Sequence, residues 1–302
     1  MVSRWWRRWP RRLEYAMNEV RIATRRSALA LAQANRIAEL LRAFDPGLSV
    51  LMVEVTTSGD RDQEGAIADL IEVGAFVRSV QEAVIDGTAD LGVHSMKDLP
   101  VSGPEELVLA SVPERISALD VLVGSTLDEL PPGGLVGTGS PRRVAQLLEL
   151  RPDLQTTELR GNIDTRLRKV TNGEVAAAVL AEAGLNRLGK GGLIAQILDL
   201  NQMVPAPGQG ALAVEARIGS DFAELAARID DESLRVLLMA ERLLLAETGA
   251  GCRSALGAHA TWDGDQIRLE AFVADDGGRR RTVAIGASPE SVVAEARKDL
   301  GL

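Results

Sequence analysis

The sequence predicts an α/β protein with two α/β domains, followed by a small α+β domain at the carboxyl end. Three observations support this fold class. Strands and helices alternate from residue 20 to about residue 180, and polar turns connect many of the strands to the helix that follows. After Asp231 a long helical pattern leads into short alternating strands separated by glycine turns.

The first hundred residues alternate between strand and helix patterns. Apolar residues at helical spacing, preceded by Ser27 as a candidate N-cap, predict the first helix. The pattern predicts strands at 20–23, 49–56 and 90–94 and helices at 28–43 and 76–85. Because helices separate successive strands, we expect a parallel sheet with crossover helices.

The same strand, polar turn and helix pattern returns in the next hundred residues. Predicted strands cover 107–112, 120–124, 134–137, 155–159, 176–180 and 208–215, and predicted helices cover 141–150 and 165–172. The last part of the chain differs, with helices predicted at 233–248 and 289–300 and strands at 254–261, 266–273 and 281–285. Glycine turns at 263–265 and 275–278 indicate hairpins, so this part reads as a small antiparallel α+β domain.

Composition and charge exclude several classes of protein. The net charge of −9 over 302 residues argues against a nucleic-acid partner. The single cysteine, Cys252, cannot form an internal disulfide. No apolar stretch reaches the roughly 18 residues that a membrane-spanning helix needs, and without an export signal we expect a cytoplasmic protein with no membrane partner.

The first 19 residues mix tryptophan with arginine. We expect a disordered extension, or a start codon assigned too early with Met17 as the true start; an anchor lying in a membrane interface is a third option.

Three arginine-containing turns occupy strand-to-helix positions, at 24–27, 137–143 and 160–166. Helix N-termini expose unpaired N–H groups and arginine binds carboxylates or phosphates in pairs. In the second turn Ser140 can cap the helix and Pro141 fits its first position. One such turn is commonly structural, but three of them favour a ligand with several negative charges.

Other cofactor sites are poorly supported by the sequence. Gly137-Thr138-Gly139 begins a dinucleotide fingerprint, but Arg142 stands where its third glycine belongs. The chain has two histidines and neither an HExxH motif nor a CxxC pair, so we expect no metal.

The run HSMKDLP at 94–100 follows a predicted buried strand. It brings Lys97 and Asp98 to the carboxyl end of that strand, where open α/β sheets bind ligands. By itself the run is equally compatible with a turn capped by the aspartate.

Taken together, seven motifs resemble the hydroxymethylbilane synthase family. They occur in the family's order between about residues 20 and 260 and read RIATRRSALALAQA, HSMKDLP, GTGSPRRVAQL, RGNIDTRL, LAEAGLNRL, PAPGQGALAVEAR and GAGCRSALGAHA. The resemblance implies a transferase of porphyrin, tetrapyrrole and heme biosynthesis. It would join four porphobilinogen molecules head to tail, release ammonia, and release the linear tetrapyrrole by hydrolysis.

The resemblance also implies a dipyrromethane cofactor attached through a thioether to Cys252, since a thiolate is the natural nucleophile towards an electrophilic methylene carbon. By the same resemblance, further cofactor contacts are Ser95, Lys97, Thr138, Ser140, Arg142, Arg143 and Arg166, and substrate contacts are Arg25, Ser27, Arg160 and Arg187. Asp98 is the expected catalytic residue, because a carboxylate near pyrrole N–H groups stabilises developing positive charge and can relay protons.

For the architecture, the resemblance implies two domains like those of periplasmic binding proteins and a monomeric chain. We expect domain 1 at 20–112 with 204–227, domain 2 at 113–203 and domain 3, carrying Cys252, at 228–302. The family pattern is broken around 60–81, where Arg78 and Ser79 replace a common lysine and glutamate. The resemblance implies that this segment forms a lid over the site.

Two other functions remain open from the residues alone. A non-enzymatic anion-binding protein of the same two-lobed design would use the arginine turns to hold a small carboxylate or phosphate. A DNA-binding regulator with a two-lobed effector domain would need a basic helix-turn-helix, which this acidic chain does not supply.

Overall fold

The structure is a computed structural model that describes residues 18–55, 75–249 and 255–302. Its strands are β1 Glu19–Arg25, β2 Ser49–Val55, β3 Leu91–Ser95, β4 Leu107–Ser111, β5 Asp120–Val123, β6 Leu135–Gly137, β7 Gln155–Thr157, β8 Ala177–Ala181, β9 Ile194–Leu198, β10 Leu212–Arg217, β11 Ala255–Asp263, β12 Gln266–Asp275 and β13 Gly278–Gly286. Its α-helices are α1 Ala28–Phe44, α2 Ala75–Ile85, α3 Pro141–Leu150, α4 Ile163–Thr171, α5 Glu182–Arg187, α6 Asp221–Ala227, α7 Glu232–Glu247 and α8 Pro289–Leu300, and Met96–Asp98 and Gly191–Leu193 form single 3-10 turns.

The chain folds into two compact units, each made of two segments. Unit 1 comprises Met1–Arg115 and Ala211–Arg235, and unit 2 comprises Ile116–Gly210 and Val236–Leu302. The finer division into three domains stays a prediction.

Unit 1 is built on a five-stranded sheet in the order β2-β1-β3-β10-β4. Strands β1, β2 and β3 are parallel, whereas β10 is antiparallel to both of its neighbours. One face packs on α1, whose buried stripe of Ile37 and Leu41 meets Val20 and Ile22 of β1. Helix α2 covers the other face through Val80 and its neighbours.

Unit 2 contains a second five-stranded sheet, in the order β7-β6-β8-β5-β9. The three strands β6, β7 and β8 are parallel and β5 is antiparallel to β8 and β9. The arrangement matches that of unit 1, with β5 in the place of β10. The parallel arrangement expected for the strands of the first hundred residues is confirmed by β1, β2 and β3. Each sheet also contains one strand antiparallel to both of its neighbours, whose direction the sequence did not predict. Two α/β sheets of one design confirm the expected fold class.

Unit 2 also contains the third sheet, in the order β11-β12-β13. All its strands are antiparallel, and the pairing continues from Asp263 opposite Gln266 to Asp275 opposite Gly278 across the two hairpins. Helix α8 is preceded by Ser288, which forms a capping box, and is followed by the C-cap Gly301, which has φ of 65°. The predicted three-stranded antiparallel sheet with a closing helix is confirmed.

Several element predictions needed correction. Strand β10 begins at Leu212 and not at 208, because Gly208 and Gly210 take positive φ in a turn. Ser140 is at the N-cap of α3, but its side chain makes no capping hydrogen bond. Ser27 does cap α1, as expected, and its Oγ accepts from the Ala30 N–H at 3.3 Å.

Among the described residues, no helix combines the length and the apolar character needed to cross a bilayer.

Candidate active site

In unit 1 two of the predicted site segments follow neighbouring parallel strands. β1 ends at Arg25 and β3 ends at Ser95, and the pairing of Ile22 with Leu91 puts both ends at one edge of the sheet. Ser27 follows Arg25 and opens α1. The structure therefore brings the first arginine turn and the HSMKDLP segment to the same edge.

The HSMKDLP segment begins at the end of β3 and continues into a single 3-10 turn, Met96–Asp98. The Met96 N–H donates to the Ala211 carbonyl at 3.0 Å, and Ser95 Oγ accepts from Gln33 Nε2 at 2.6 Å. Met96 is buried, Lys97 is half-buried and Asp98 is exposed. The buried methionine anchors the turn and presents the two charged side chains outward.

A buried polar cluster lies beneath this turn. Glu215 of β10 is fully buried and accepts two hydrogen bonds from Gln81 Nε2, each at 3.1 Å. His94 Nε2 lies 2.9 Å from Glu215 Oε2. A buried carboxylate needs such partners, and the cluster joins α2, β10 and β3.

In unit 2 the arginine turns also share one sheet edge. Thr138 follows β6 and Arg160 follows β7, while Arg187 ends the short helix after β8. Because β6 is paired in parallel with both β7 and β8, their carboxyl ends lie together. These turns carry the remaining predicted cofactor and substrate contacts that the structure describes.

Arg142 and Arg143, in the first turn of α3, are buried and share one carboxylate. Arg142 Nη1 lies 2.7 Å from Asp120 Oδ2, and Arg143 Nη2 and Nε lie 2.7 Å and 3.0 Å from Asp120 Oδ1. The side chains are 3%, 8% and 0% exposed for Arg142, Arg143 and Asp120. Among the residues that the structure describes, two guanidinium groups therefore face a single carboxylate, so these three side chains together carry a net positive charge.

The pKa shifts agree with this charge balance. Burial raises the pKa of Asp120, but the charges of Arg142 and Arg143, together with hydrogen bonds from Arg142 and Gln209, lower it well below its usual range. Burial lowers the pKa of Arg142, and the neighbouring charge of Arg143 lowers it further against the opposing effect of Asp120. An additional anion at this cluster would favour the charged form of both arginines.

Arg142 has N–H donors beyond those that bind Asp120. Its Nη1 is shared between Asp120 and the Val204 carbonyl, at 2.7 Å in each case. A guanidinium has five N–H donors, and those on Nε and Nη2 are not committed to these two partners. Arg143 is more fully engaged, since its Nη1 also donates to the Val179 carbonyl at 2.9 Å.

The other predicted contacts in unit 2 lie in the turns themselves. Thr138 is buried and its Oγ1 accepts from the Ser140 N–H at 3.3 Å. Arg166 Nε donates to the Gly161 carbonyl at 2.9 Å. Gly161 has φ of 99°, a conformation that glycine adopts at little cost.

Two of the predicted substrate contacts also have protein partners. Arg160 is exposed and its Nε lies 2.7 Å from Glu158 Oε1. Arg187 is half-buried, and its Nη2 donates to the Gly210 carbonyl at 2.8 Å.

Cys252 lies outside the described residues, as do most of the predicted lid segment and the Trp/Arg-rich start of the chain. The chain approaches Cys252 from α7, which ends at Glu247, and leaves it into β11, which begins at Ala255.

Sequence reasoning missed the buried acidic residues. Asp120 opens a strand that reads DVLV, and Glu215 lies in a strand that reads LAVEAR. The signal was available, because a carboxylate inside an otherwise apolar strand is costly unless a cation or several donors face it.

Family models and relatives match most of the chain. A family model described as "Porphobilinogen deaminase, dipyromethane cofactor binding domain" matches residues 20–224, and one described as "Porphobilinogen deaminase, C-terminal domain" matches residues 236–300. A porphobilinogen deaminase of Roseiflexus castenholzii is 43% identical over 294 residues, which cover 94% of this chain and 97% of that protein. A porphobilinogen deaminase of Brevibacillus brevis is 40% identical over 290 residues, which cover 93% and 94%.

Solved structures with a similar course of the chain include the effector binding domain of BenM with benzoate and the methionine binding protein MetQ. They cover 77% of this chain, and 94% of the other chain in each case, with 16% and 11% identity and TM-scores of 0.41 and 0.44. Because these scores are low, the fold assignment rests on the strand order of the two sheets. The family models and the relatives together span nearly the whole chain, and the chain belongs to the porphobilinogen deaminase family.

Proposed function

We propose that Asp98 is the catalytic carboxylate of this chain and that arginines at the strand ends hold the carboxylates of cofactor and substrate. The reaction is that of the family: four porphobilinogen molecules are condensed head to tail with loss of ammonia, and hydrolysis releases hydroxymethylbilane. The cofactor is a dipyrromethane bound through a thioether to Cys252, and it supplies the pyrrole carbon onto which the chain is built.

The position and exposure of Asp98 support its role. Its carboxylate is exposed at the end of β3, on a turn fixed by buried Met96 and by Gln33 beneath Ser95. A carboxylate held in this way can accept hydrogen bonds from pyrrole N–H groups and take up a proton at Oδ1 or Oδ2. It can also stabilise the positive charge that develops when ammonia leaves.

The cofactor contacts are proposed from the charge balance at Asp120. Arg142 and Arg143 together exceed the charge of their one buried carboxylate partner, so a bound carboxylate completes the cluster. This surplus positive charge is the observation that carries the proposal. Ser95, Lys97, Thr138, Ser140 and Arg166 complete the proposed cofactor contacts.

The incoming substrate needs its own anion contacts, because each porphobilinogen brings an acetate and a propionate. We assign these to Arg25, Ser27, Arg160 and Arg187. Arg25 ends β1, Ser27 and Arg160 lie on the turns after β1 and β7, and Arg187 ends the short helix after β8. The Glu158 carboxylate beside Arg160 can give way to a substrate carboxylate, because an exposed ion pair contributes little stability.

The proposal extends to the organisation of the molecule. The chain acts as a cytoplasmic monomer with neither a nucleic-acid nor a membrane partner. Its domains are 20–112 with 204–227, 113–203 and 228–302, and the last of these carries the cofactor cysteine.

The first test examines whether the cofactor is attached to Cys252. Intact mass and peptide mapping of the purified chain should show an adduct of two linked pyrrole units on Cys252. A chain that stays unmodified after porphobilinogen is added would contradict the proposal.

The second test is the substitution Asp98→Asn. We expect kcat to fall by about 10²–10³-fold, the usual cost of losing one preorganised electrostatic partner, while the adduct on Cys252 is retained. Asp86→Asn is the matched control, because Asp86 is an exposed residue of the same unit whose carboxylate caps the Thr88 N–H. Equal activity of the two variants would remove Asp98 from the mechanism.

A further inference from the structure

Unit 2 contains another buried carboxylate besides Asp120. Glu241 of α7 is fully buried. Its Oε2 accepts from the Gly208 N–H at 2.7 Å and its Oε1 accepts from the Ala260 N–H at 2.8 Å, with His259 Nδ1 3.6 Å from Oε1. Glu241 thus joins three parts of the chain: helix α7, strand β11 and the turn before β10.

The segment 204–209 in that turn is packed backbone to backbone against β11. The Ala258 N–H donates to the Pro205 carbonyl at 2.9 Å. A Cβ added at Gly257 would lie 2.7 Å from the Val204 carbonyl oxygen, closer than real side chains approach. Glycine at position 257 is therefore what permits this contact.

The opposite side of the same segment reaches the arginine pair. The Val204 carbonyl accepts from Arg142 Nη1 at 2.7 Å and from Gln146 Nε2 at 3.0 Å. Gln209 Nε2 donates to Asp120 Oδ1 at 2.9 Å. The segment 204–209 is therefore in contact with both β11 and the Asp120 cluster.

The order of the chain makes this arrangement relevant to Cys252. Helix α7 ends five residues before Cys252 and β11 begins three residues after it. Glu241 lies on the helix that precedes the cysteine and bonds to the strand that follows it. One side chain thus ties both flanks of Cys252 to segment 204–209.

We propose that Glu241 is a positioning residue that makes segment 204–209 a common support for the flanks of Cys252 and for Arg142. The support aligns the point of covalent attachment with the arginines that receive the cofactor carboxylates. This inference rests on the proposed roles of Arg142 and Arg143 and on the thioether at Cys252.

The substitution Glu241→Gln tests the proposal. The amide keeps one acceptor oxygen but turns an NH₂ group towards a backbone N–H, so one of the two contacts is lost. The variant and the parent chain are produced without cofactor, in a host that makes no porphobilinogen. Porphobilinogen is then added, and the adduct on Cys252 is followed over time by intact mass.

We expect loading of Glu241→Gln to be about 10²-fold slower, the cost typical of a misplacement of about 1 Å. Alkylation of Cys252 by iodoacetamide should proceed at the parent rate, because the thiol itself is unchanged. Glu247→Gln is the matched control: it makes the same change on the same helix, at an exposed carboxylate paired with Arg297, and should load like the parent chain.

The outcomes distinguish failure of the proposed function from failure of the inference about Glu241. Failure of the parent chain to load would remove the proposed function and this inference with it. Parent-like loading of Glu241→Gln would overturn the inference alone, and so would a matching loss of alkylation, which would indicate a displaced or buried thiol.

A second variant, Gly257→Ala, changes strand β11 where it contacts segment 204–209. The new methyl group meets the Val204 carbonyl, so it should separate β11 from segment 204–209 and slow loading in the same way. If neither variant folds, Glu241 determines folding and not alignment, and the inference is wrong.

Discussion

At the scale of single residues, Asp120 has the largest consequence. It is fully buried, and three hydrogen bonds from two arginines and one from Gln209 converge on its two oxygens. Breaking a buried ion pair on one side is far more damaging than its net contribution suggests, because the partner charge is left in a low dielectric.

Asp120→Asn should therefore lower the free energy of unfolding by about 3–5 kcal/mol at neutral pH. The folded-state pKa of Asp120 is below its unfolded value, which is about 3.9, so this stabilisation is present above pH 4 and is lost as the pH falls towards the folded pKa. Urea unfolding of parent and variant between about pH 7 and pH 3 should show their difference shrinking towards acid.

Asp153→Asn is the control for that measurement. Arg151 lowers the pKa of Asp153 to about 2 through a hydrogen bond, but the pair lies at the surface. A surface pair contributes little, so this variant should unfold like the parent chain. A difference between parent and Asp120→Asn that did not depend on pH would contradict the assignment of its charge.

At the scale of secondary-structure elements, the turn before β10 shows why a local pattern can mislead. Its apolar and glycine residues predicted a strand from 208, whereas the strand begins at Leu212. Gly210 has φ of 83°, and a Cβ there would lie 1.7 Å from the Ser117 carbonyl oxygen. The conformation depends on a neighbour 93 positions earlier in the chain, which no local window contains.

Gly210→Ala should accordingly be strongly destabilising. Positive φ alone costs an L residue about 1–2 kcal/mol, and here the backbone at Ser117 must also move. Gly189→Ala is the matched control in the same unit, since Gly189 has φ of 67° and open space around its Cβ position. Equal losses in urea unfolding would show that the close approach to Ser117 has no energetic role.

The same reasoning explains which elements were predictable. Helices with a strong apolar stripe, such as α1, and the hairpins of the third sheet follow from local pattern and were predicted. The short elements α5, α6 and β9 were not identified, because five to seven residues carry too little periodicity. The antiparallel strands β5 and β10 were read as strands, but their direction depends on pairing with distant strands.

The residues of the candidate site also divide into those that the sequence could predict and those that it could not. The turns at the carboxyl ends of β1, β3, β6 and β7 were predictable, because each is a polar run between a strand and the helix or 3-10 turn that follows it. Asp120, Glu215 and Glu241 were not, because their partners are remote in sequence and only the fold brings them together.

At the scale of the whole molecule, the balance of charge is the main feature. The chain carries a net charge of −9 although its substrate and product are polyanions. We therefore expect binding to depend on local arginine clusters, which act over about one Debye length, roughly 8–10 Å at physiological salt.

Loading of the cofactor should be visible in this overall charge. Two pyrrole rings bring about four carboxylates, all ionised at neutral pH. The loaded chain should elute later from an anion-exchange column than Cys252→Ser, which cannot form the thioether. Identical elution of the two proteins, despite an adduct on the parent chain, would mean that the new charges are neutralised within the site.

The matching strand orders of the two five-stranded sheets have a consequence for synthesis on the ribosome. The sheet of unit 2 receives its last strand, β9, at Leu198, whereas that of unit 1 must wait for β10, which ends at Arg217. Until then β4 has no neighbour on which to pair, and an edge of β3 is open to other chains. The sheet of unit 1 is therefore started before that of unit 2 but completed after it. During synthesis its open strand edge, in the amino-terminal part of the chain, must be kept from pairing with other chains for the longest time.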